Sequence, residues 1–238
     1  RPTLLGHSLF PGMPQQGRTL APGAMAADTY GIKAVILDLD GVIYRGQTLL
    51  PGARETTEWL RARGYQVYYF TNNSTRTRQS YVELLAGFGL ASDVEHIVTS
   101  AFLTARYFAD NGLLPATALV IGEAGLAEEL RRVGLRVLRR RGKRPVHYVV
   151  VGMDRKFTYR KLHEAQQAIR AGARFVATNR DATYPVEDNV IPGGGSIVAA
   201  VAAAAEQEPL LVGKPSPGAG ELILHHAGVG AREVLMVG

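Results

Sequence analysis

From Lys33 onward, short apolar runs alternate with longer segments in which apolar residues recur at helical spacing. Ala34 to Leu39 is an apolar run that meets acidic residues at its end, which reads as a buried parallel strand. Pro51 to Arg63 reads as a helix, with proline near its start and Gly64 just past its end. Gln66 to Phe70 is rich in β-branched and aromatic residues and reads as a second strand. A helix over Gln79 to Gly87, a strand over His96 to Val98 and a helix over Ala101 to Asp110 continue the rhythm. A second set has strands over Ala118 to Ile121, Val146 to Val151 and Arg174 to Ala177, with helices over Glu123 to Val133 and Tyr159 to Ala171. Pro192-Gly193-Gly194-Gly195 then reads as a hinge. It precedes a helix over Ser196 to Ala205, a strand over Leu210 to Val212, a helix over Gly218 to Ala227 and a strand over Val234 to Val237.

This alternation predicts an α/β fold, a doubly wound Rossmann-like parallel sheet with a smaller α/β cap domain inserted into it. The predicted core consists of residues 31–114 and 193–238, with the cap at 115–192. Residues 1–30 carry Pro2, Pro11, Pro14 and Pro22 and read as a flexible N-terminal extension.

Composition narrows the classes. With 238 residues, of which 46% are hydrophobic and 20% charged, the chain has material for a packed core, so disorder as its main state is excluded. It has no cysteine, which removes disulfides, thiolate metal sites and cysteine nucleophiles together and fits a reducing, cytoplasmic setting. The longest apolar run, Ile197 to Ala205, is far short of the ~20 residues that span a bilayer, so no membrane association is expected. The net charge of +6 prompts a nucleic-acid hypothesis. The excess, however, is concentrated between Arg131 and Arg144, where Arg131, Arg132, Arg136, Arg139, Arg140, Arg141, Lys143 and Arg144 meet no acidic residue. A solvated helix end and turn accounts for such a stretch, and no nucleic-acid partner is expected.

In open parallel sheets ligands bind beyond the carboxyl ends of the strands, and three such ends carry distinctive chemistry. Asp38-Leu39-Asp40-Gly41 sets two carboxylates close together, at a Coulomb cost that a cation or a shared proton offsets; a simple glycine turn is the alternative reading. Thr71-Asn72-Asn73-Ser74 offers a hydroxyl and backbone N–H groups as an anion cradle, or else caps the next helix. Gly213-Lys214-Pro215-Ser216-Pro217 holds a lysine between a strand and rigid prolines, where its ammonium can offset phosphate charge or face solvent. Together they supply the parts of phosphoryl transfer through an aspartyl-phosphate.

Order and setting resemble the haloacid dehalogenase (HAD) superfamily, in its NagD-like 4-nitrophenylphosphatase and sugar-phosphatase branch. The resemblance rests on Asp38-Leu39-Asp40-Gly41-Val42-Ile43-Tyr44, Thr71-Asn72-Asn73-Ser74-Thr75-Arg76 and Val212-Gly213-Lys214-Pro215-Ser216-Pro217. Gly152-Met153-Asp154, Ala177-Thr178-Asn179 and Pro192-Gly193-Gly194-Gly195-Ser196 support it. It implies a phosphatase whose nucleophile is Asp38 and whose general acid and base is Asp40, a position where the superfamily's transporting ATPases carry threonine. Thr71, Asn72 and Asn73 would bind phosphate, and Lys214 would offset charge on nucleophile and phosphate. Mg²⁺ is the implied cofactor, with Asp38 and Asp40 as its ligands, Asp40 through its carbonyl. A small phosphorylated metabolite is the implied substrate. Arg76, Asp154, Arg155 and Lys156 are the candidate substrate contacts, and a homodimer through the cap is the implied assembly.

The superfamily's fourth, acidic motif follows a strand like Val234-Leu235-Met236-Val237-Gly238 and is not in this sequence. The resemblance therefore implies a fragment of a longer enzyme, or a catalytically impaired or binding protein with weak Mg²⁺ affinity. A phospho-acceptor module of the receiver type also uses Asp, Thr and Lys at strand ends. Receivers, though, are shorter and have no inserted cap.

Overall fold

A computed structural model describes residues 31–187 and 189–238; the predicted extension over residues 1–30 lies outside the described residues. The first half of the chain forms β1 (Ala34–Asp38), β2 (Tyr44–Arg45), β3 (Thr48–Leu49), α1 (Ala53–Ala62), β4 (Gln66–Thr71), α2 (Arg78–Gly87), β5 (Ile97–Thr99) and α3 (Ser100–Asp110). Next come β6 (Thr117–Ile121), α4 (Ala124–Arg132), β7 (Arg136–Leu138), β8 (Tyr148–Val151), α5 (Tyr159–Arg170) and β9 (Arg174–Ala177). The remainder forms β10 (Thr183–Pro185), β11 (Val190–Pro192), α6 (Gly194–Ala205), β12 (Leu210–Leu211), α7 (Pro217–Ala227) and β13 (Val234–Val237).

The strands form two parallel sheets, ordered β13-β1-β4-β5 and β12-β9-β8-β6-β7, and two antiparallel hairpins, β2-β3 and β10-β11. Parallel strands are covered on both faces, which is why β1 and β8 read as unbroken apolar runs rather than alternating ones. In the first sheet Leu37 lies opposite Val237 and Asp38 opposite Phe70, so β1 is central and delivers Asp38 at its carboxyl end. On one face Val35 and Leu37 pack with Leu60, Tyr69, Tyr81 and Leu85. On the other, Ile36 and Phe70 meet Phe102 and Phe108 of α3 in a cluster that continues to Val120 and Tyr148 of the second sheet.

Two features join α2 and the loop before it to α4. The Gly125 N–H donates to the Thr75 carbonyl at 3.0 Å, and a Cβ at Gly125 would collide with the Arg76 carbonyl oxygen. Arg78 Nε also donates to Glu129 Oε1 at 3.0 Å, both side chains being buried. Gly125→Ala is therefore expected to destabilise the protein by about 1–3 kcal/mol through overpacking, read as a lowered thermal midpoint.

The structure moves one boundary. The sequence places the return to the first sheet at residue 193, yet β12 pairs with β9 (Leu210↔Val176, Leu211↔Ala177). Helix α6 likewise buries Val198 and Val201 with Val149 and Phe175 of the second sheet. A short apolar strand carries no label for the sheet it joins, so periodicity alone misses this. The glycines read as a hinge have a packing role instead. Side chains at Gly193 and Gly195 would collide with the backbone oxygens of Asp181 and Arg180.

The basic stretch runs from the end of α4 through β7, the edge strand of the second sheet. Charge at a sheet edge opposes pairing with another chain. Among the described residues no helix is long and apolar enough to cross a membrane.

Candidate active site

The carboxyl ends of β1 and β4 face the loop after β12, and the three sequence motifs meet there. Asp38 ends β1, and its Oδ1 accepts the Leu39 N–H at 2.8 Å. Lys214 Nζ lies 2.9 Å from Asp38 Oδ2 and 4.6 Å from the centroid of the Phe70 ring. The lysine is delivered by tight packing: a side chain at Gly213 would collide with the Thr178 carbonyl oxygen, and Ser216 caps α7 with Pro217 at its first turn. The chain turns after Asp40 at Gly41, whose φ of 86° lies in the left-handed region that favours glycine.

Asp40 is held at both oxygens: Thr71 Oγ1 donates to Oδ2 at 2.9 Å and the Tyr184 hydroxyl to Oδ1 at 3.0 Å. Burial raises its pKa and the Asp38 charge adds to that, against the opposing hydrogen bonds and Lys214. A carboxyl group that holds a proton more readily is suited to give one to a leaving oxygen. Burial and the Asp40 charge push the Tyr184 hydroxyl up to about 12, so it keeps its own proton.

Asn72 Oδ1 accepts the Lys214 N–H at 3.1 Å, while its Nδ2 donates to the Lys214 carbonyl at 3.1 Å and to Asp181 Oδ2 at 2.9 Å. Its own carbonyl accepts Ser100 Oγ at 2.6 Å and Asn179 Nδ2 at 2.8 Å. The Thr71-Asn72-Asn73-Ser74 segment does not cap the following helix; Thr77 does, accepting the Ser80 N–H at 3.1 Å.

A cavity of about 270 Å³ is lined by Asp38, Asp40, Thr71, Asn72, Asn73 and Lys214 from the sequence motifs, and by Asp181, Thr183, Tyr184 and Pro185. The last four were not foreseen. The polar stretch directly after β9, another parallel strand, is a signal for Asp181; Thr183, Tyr184 and Pro185 form β10 and carry none.

The four candidate substrate contacts do not line this cavity. Arg76 is exposed, with its backbone against Gly125. Asp154 is buried, paired with Lys161 Nζ at 2.6 Å, and accepts the Lys156 N–H at 2.9 Å, so it shapes its own loop. Arg155 is bound in two-pronged fashion by Glu123, Nε to Oε1 at 2.8 Å and Nη2 to Oε2 at 2.7 Å. The hydrogen bonds from Arg155 hold the Glu123 carboxyl below its usual range. A guanidinium already neutralised in this way is a weak receptor for a second anion.

Residues 35–136 match the family described as haloacid dehalogenase-like hydrolases. An acid sugar phosphatase of Staphylococcus aureus is 35% identical over 206 residues, which span 87% of this chain and 78% of that protein. The p-nitrophenyl phosphatase from Archaeoglobus fulgidus superposes with a TM-score of 0.79 at 36% identity, covering 85% of this chain and 77% of that one. A glycerol phosphate phosphatase from Mycobacterium tuberculosis, in complex with calcium, superposes with a TM-score of 0.77 at 34% identity, covering 86% and 59%.

Proposed function

This chain belongs to the haloacid dehalogenase-like hydrolases as a phosphatase of NagD-like type, and from that premise we propose a Mg²⁺-dependent phosphomonoesterase working through an aspartyl-phosphate. Its proposed substrate is a small phosphorylated metabolite such as a sugar phosphate or a glycolate-type phosphate, with 4-nitrophenyl phosphate as an artificial one. The observation that carries this reading is the 2.9 Å contact of Lys214 Nζ with Asp38 Oδ2, in one cavity with Asp40 and Thr71.

An Asp38 oxygen attacks phosphorus, forming a P–O bond as the bond to the leaving alcohol breaks, and Asp40 gives that alcohol its proton. Asp40, now ionised, takes a proton from water as the water oxygen attacks phosphorus. The Asp38–phosphorus bond breaks, inorganic phosphate leaves, and both side chains return to their starting states. Lys214 offsets charge on Asp38 and on the phosphoryl group throughout, while the Thr71 hydroxyl stays on Asp40 at the edge of the same cavity.

The donors suit a hard divalent cation. Asp38 ends β1 with a carboxylate open to the cavity, and Asp40, whose carboxyl oxygens are taken by Thr71 and Tyr184, would offer its backbone carbonyl. Among the described residues no group of three or more His, Cys, Asp or Glu side chains is placed to hold a metal. Mg²⁺ is a hard ion that needs only one or two carboxylates from the protein beside substrate phosphate and water. When bound, the cation would neutralise charge on the phosphoryl oxygens. EDTA is expected to abolish 4-nitrophenyl phosphate hydrolysis by the full-length protein and added Mg²⁺ to restore it. Turnover undiminished by EDTA would remove the cation from the reaction.

A further inference from the structure

We infer that Tyr184 is a positioning residue for Asp40: through its hydroxyl the β10-β11 hairpin sets the orientation of the carboxyl group that protonates the leaving alcohol. The inference rests on the acid–base role proposed for Asp40 and adds a residue that no sequence motif contains.

The donors around Asp40 form a chain with only one consistent direction. Asn73 Oδ1 accepts both the Thr75 N–H at 2.9 Å and the Thr75 hydroxyl at 2.7 Å, which fixes the amide with its Nδ2 pointing the other way. That Nδ2 donates to the Tyr184 hydroxyl oxygen at 2.9 Å. With its accepting side occupied, the tyrosine turns its own O–H toward Asp40 Oδ1, 3.0 Å away. The Asn73 backbone N–H does the same for Thr71: it donates to Oγ1 at 3.0 Å and leaves the Thr71 O–H for Asp40 Oδ2 at 2.9 Å. Asn73 thus orients two hydroxyl groups, one on each oxygen of Asp40.

A carboxyl group gripped at both oxygens cannot swing about its terminal torsion. Misplacing a proton donor by about 1 Å is enough to cost on the order of 10²-fold in rate. Thr71 and Asn73 are buried, whereas Tyr184 is half-buried and arrives from a hairpin 144 residues further along the chain. Near the far end of that hairpin, Glu187 packs on Gly46 in the turn between β2 and β3, so contacts at both ends seat the hairpin over the site. Tyr184 is the one member of the brace that depends on this seating.

The test uses two esters of similar shape and different need for a proton. Benzyl phosphate releases an alkoxide, which must be protonated as it leaves; 4-nitrophenyl phosphate releases a stable phenolate. Tyr184→Phe removes one half-buried hydroxyl and keeps the ring. It is expected to lower kcat/KM for benzyl phosphate by ~10–100-fold, and for 4-nitrophenyl phosphate by at least ~10-fold less than that. Asp40→Asn is the control, with the same ester preference and a larger loss of ~10²–10⁴-fold for benzyl phosphate. If Asp40→Asn discriminates between the esters and Tyr184→Phe lowers both equally, or neither, the role of Tyr184 is overturned and that of Asp40 stands. If Asp40→Asn itself treats the two esters alike, the acid role of Asp40 falls, and the inference with it.

Discussion

Asp38→Asn is expected to lower kcat for 4-nitrophenyl phosphate by at least ~10⁴-fold, the scale on which losing a covalent nucleophile acts. The substitution keeps the shape of the side chain and the oxygen that accepts the Leu39 N–H. What it removes is the second oxygen, which faces Lys214 at 2.9 Å. An amide nitrogen there attacks phosphorus poorly and faces the ammonium as donor to donor. The side chain is part-buried, and the first sheet is held by the apolar residues of β1 rather than by this group, so the variant should keep its fold. The measurement is steady-state hydrolysis by a protein with an unaltered circular dichroism spectrum. Turnover within about tenfold of the parent would place the nucleophile elsewhere.

Glu129→Met is expected to destabilise the protein by about 3 kcal/mol, because it takes from buried Arg78 its close and buried charge partner. The two side chains are 4% and 8% exposed, so water cannot replace the missing carboxylate. Arg78 would keep the Val94 carbonyl at 3.3 Å, the face of the Phe102 ring at 4.0 Å and, at 3.9 Å, the exposed carboxylate of Glu95, which is too distant and too well solvated to replace Glu129. The double replacement Arg78→Met with Glu129→Met should recover most of the loss, since an apolar pair of similar volume no longer strands a charge. Denaturant unfolding of the parent, both single variants and the double variant measures the coupling. Single variants whose losses simply add would show that the pair is not a unit.

The sequence read the regular elements well and their grouping less well. β1, β4, β8 and β9 were legible because parallel strands buried on both faces leave continuous apolar runs. β7 was hidden inside the basic stretch, where edge-strand side chains are free to be charged. The two-residue strands β2 and β3 are too short for any period to register. α6 and β12 were visible as elements and grouped with the other sheet, because membership is decided by tertiary packing of Val198, Val201 and Leu211.

The site divides along the same line. Asp38, Asp40, Thr71, Asn72, Asn73 and Lys214 sit at strand ends or directly after them, where sequence order and the geometry of parallel sheets place them together. Asp181 meets Asn72 across 109 residues of chain, from the segment after β9, and Tyr184 meets Asp40 across 144, through a hairpin whose position no local pattern encodes. Arg155 was legible as a cation and illegible as a neutralised one, since Glu123 lies 32 residues before it.

The central claim is that Asp38 takes the phosphoryl group onto its own oxygen. An aspartyl-phosphate is an acyl phosphate, which borohydride reduces to an alcohol, turning the residue into homoserine, whereas a free carboxylate is untouched. Borohydride should be added during steady-state turnover of 4-nitrophenyl phosphate by the full-length protein, and the peptide that contains β1 then sequenced by mass spectrometry. Homoserine at position 38, dependent on substrate, is the predicted result. An unmodified Asp38 alongside undiminished turnover, or homoserine at another aspartate, would contradict it.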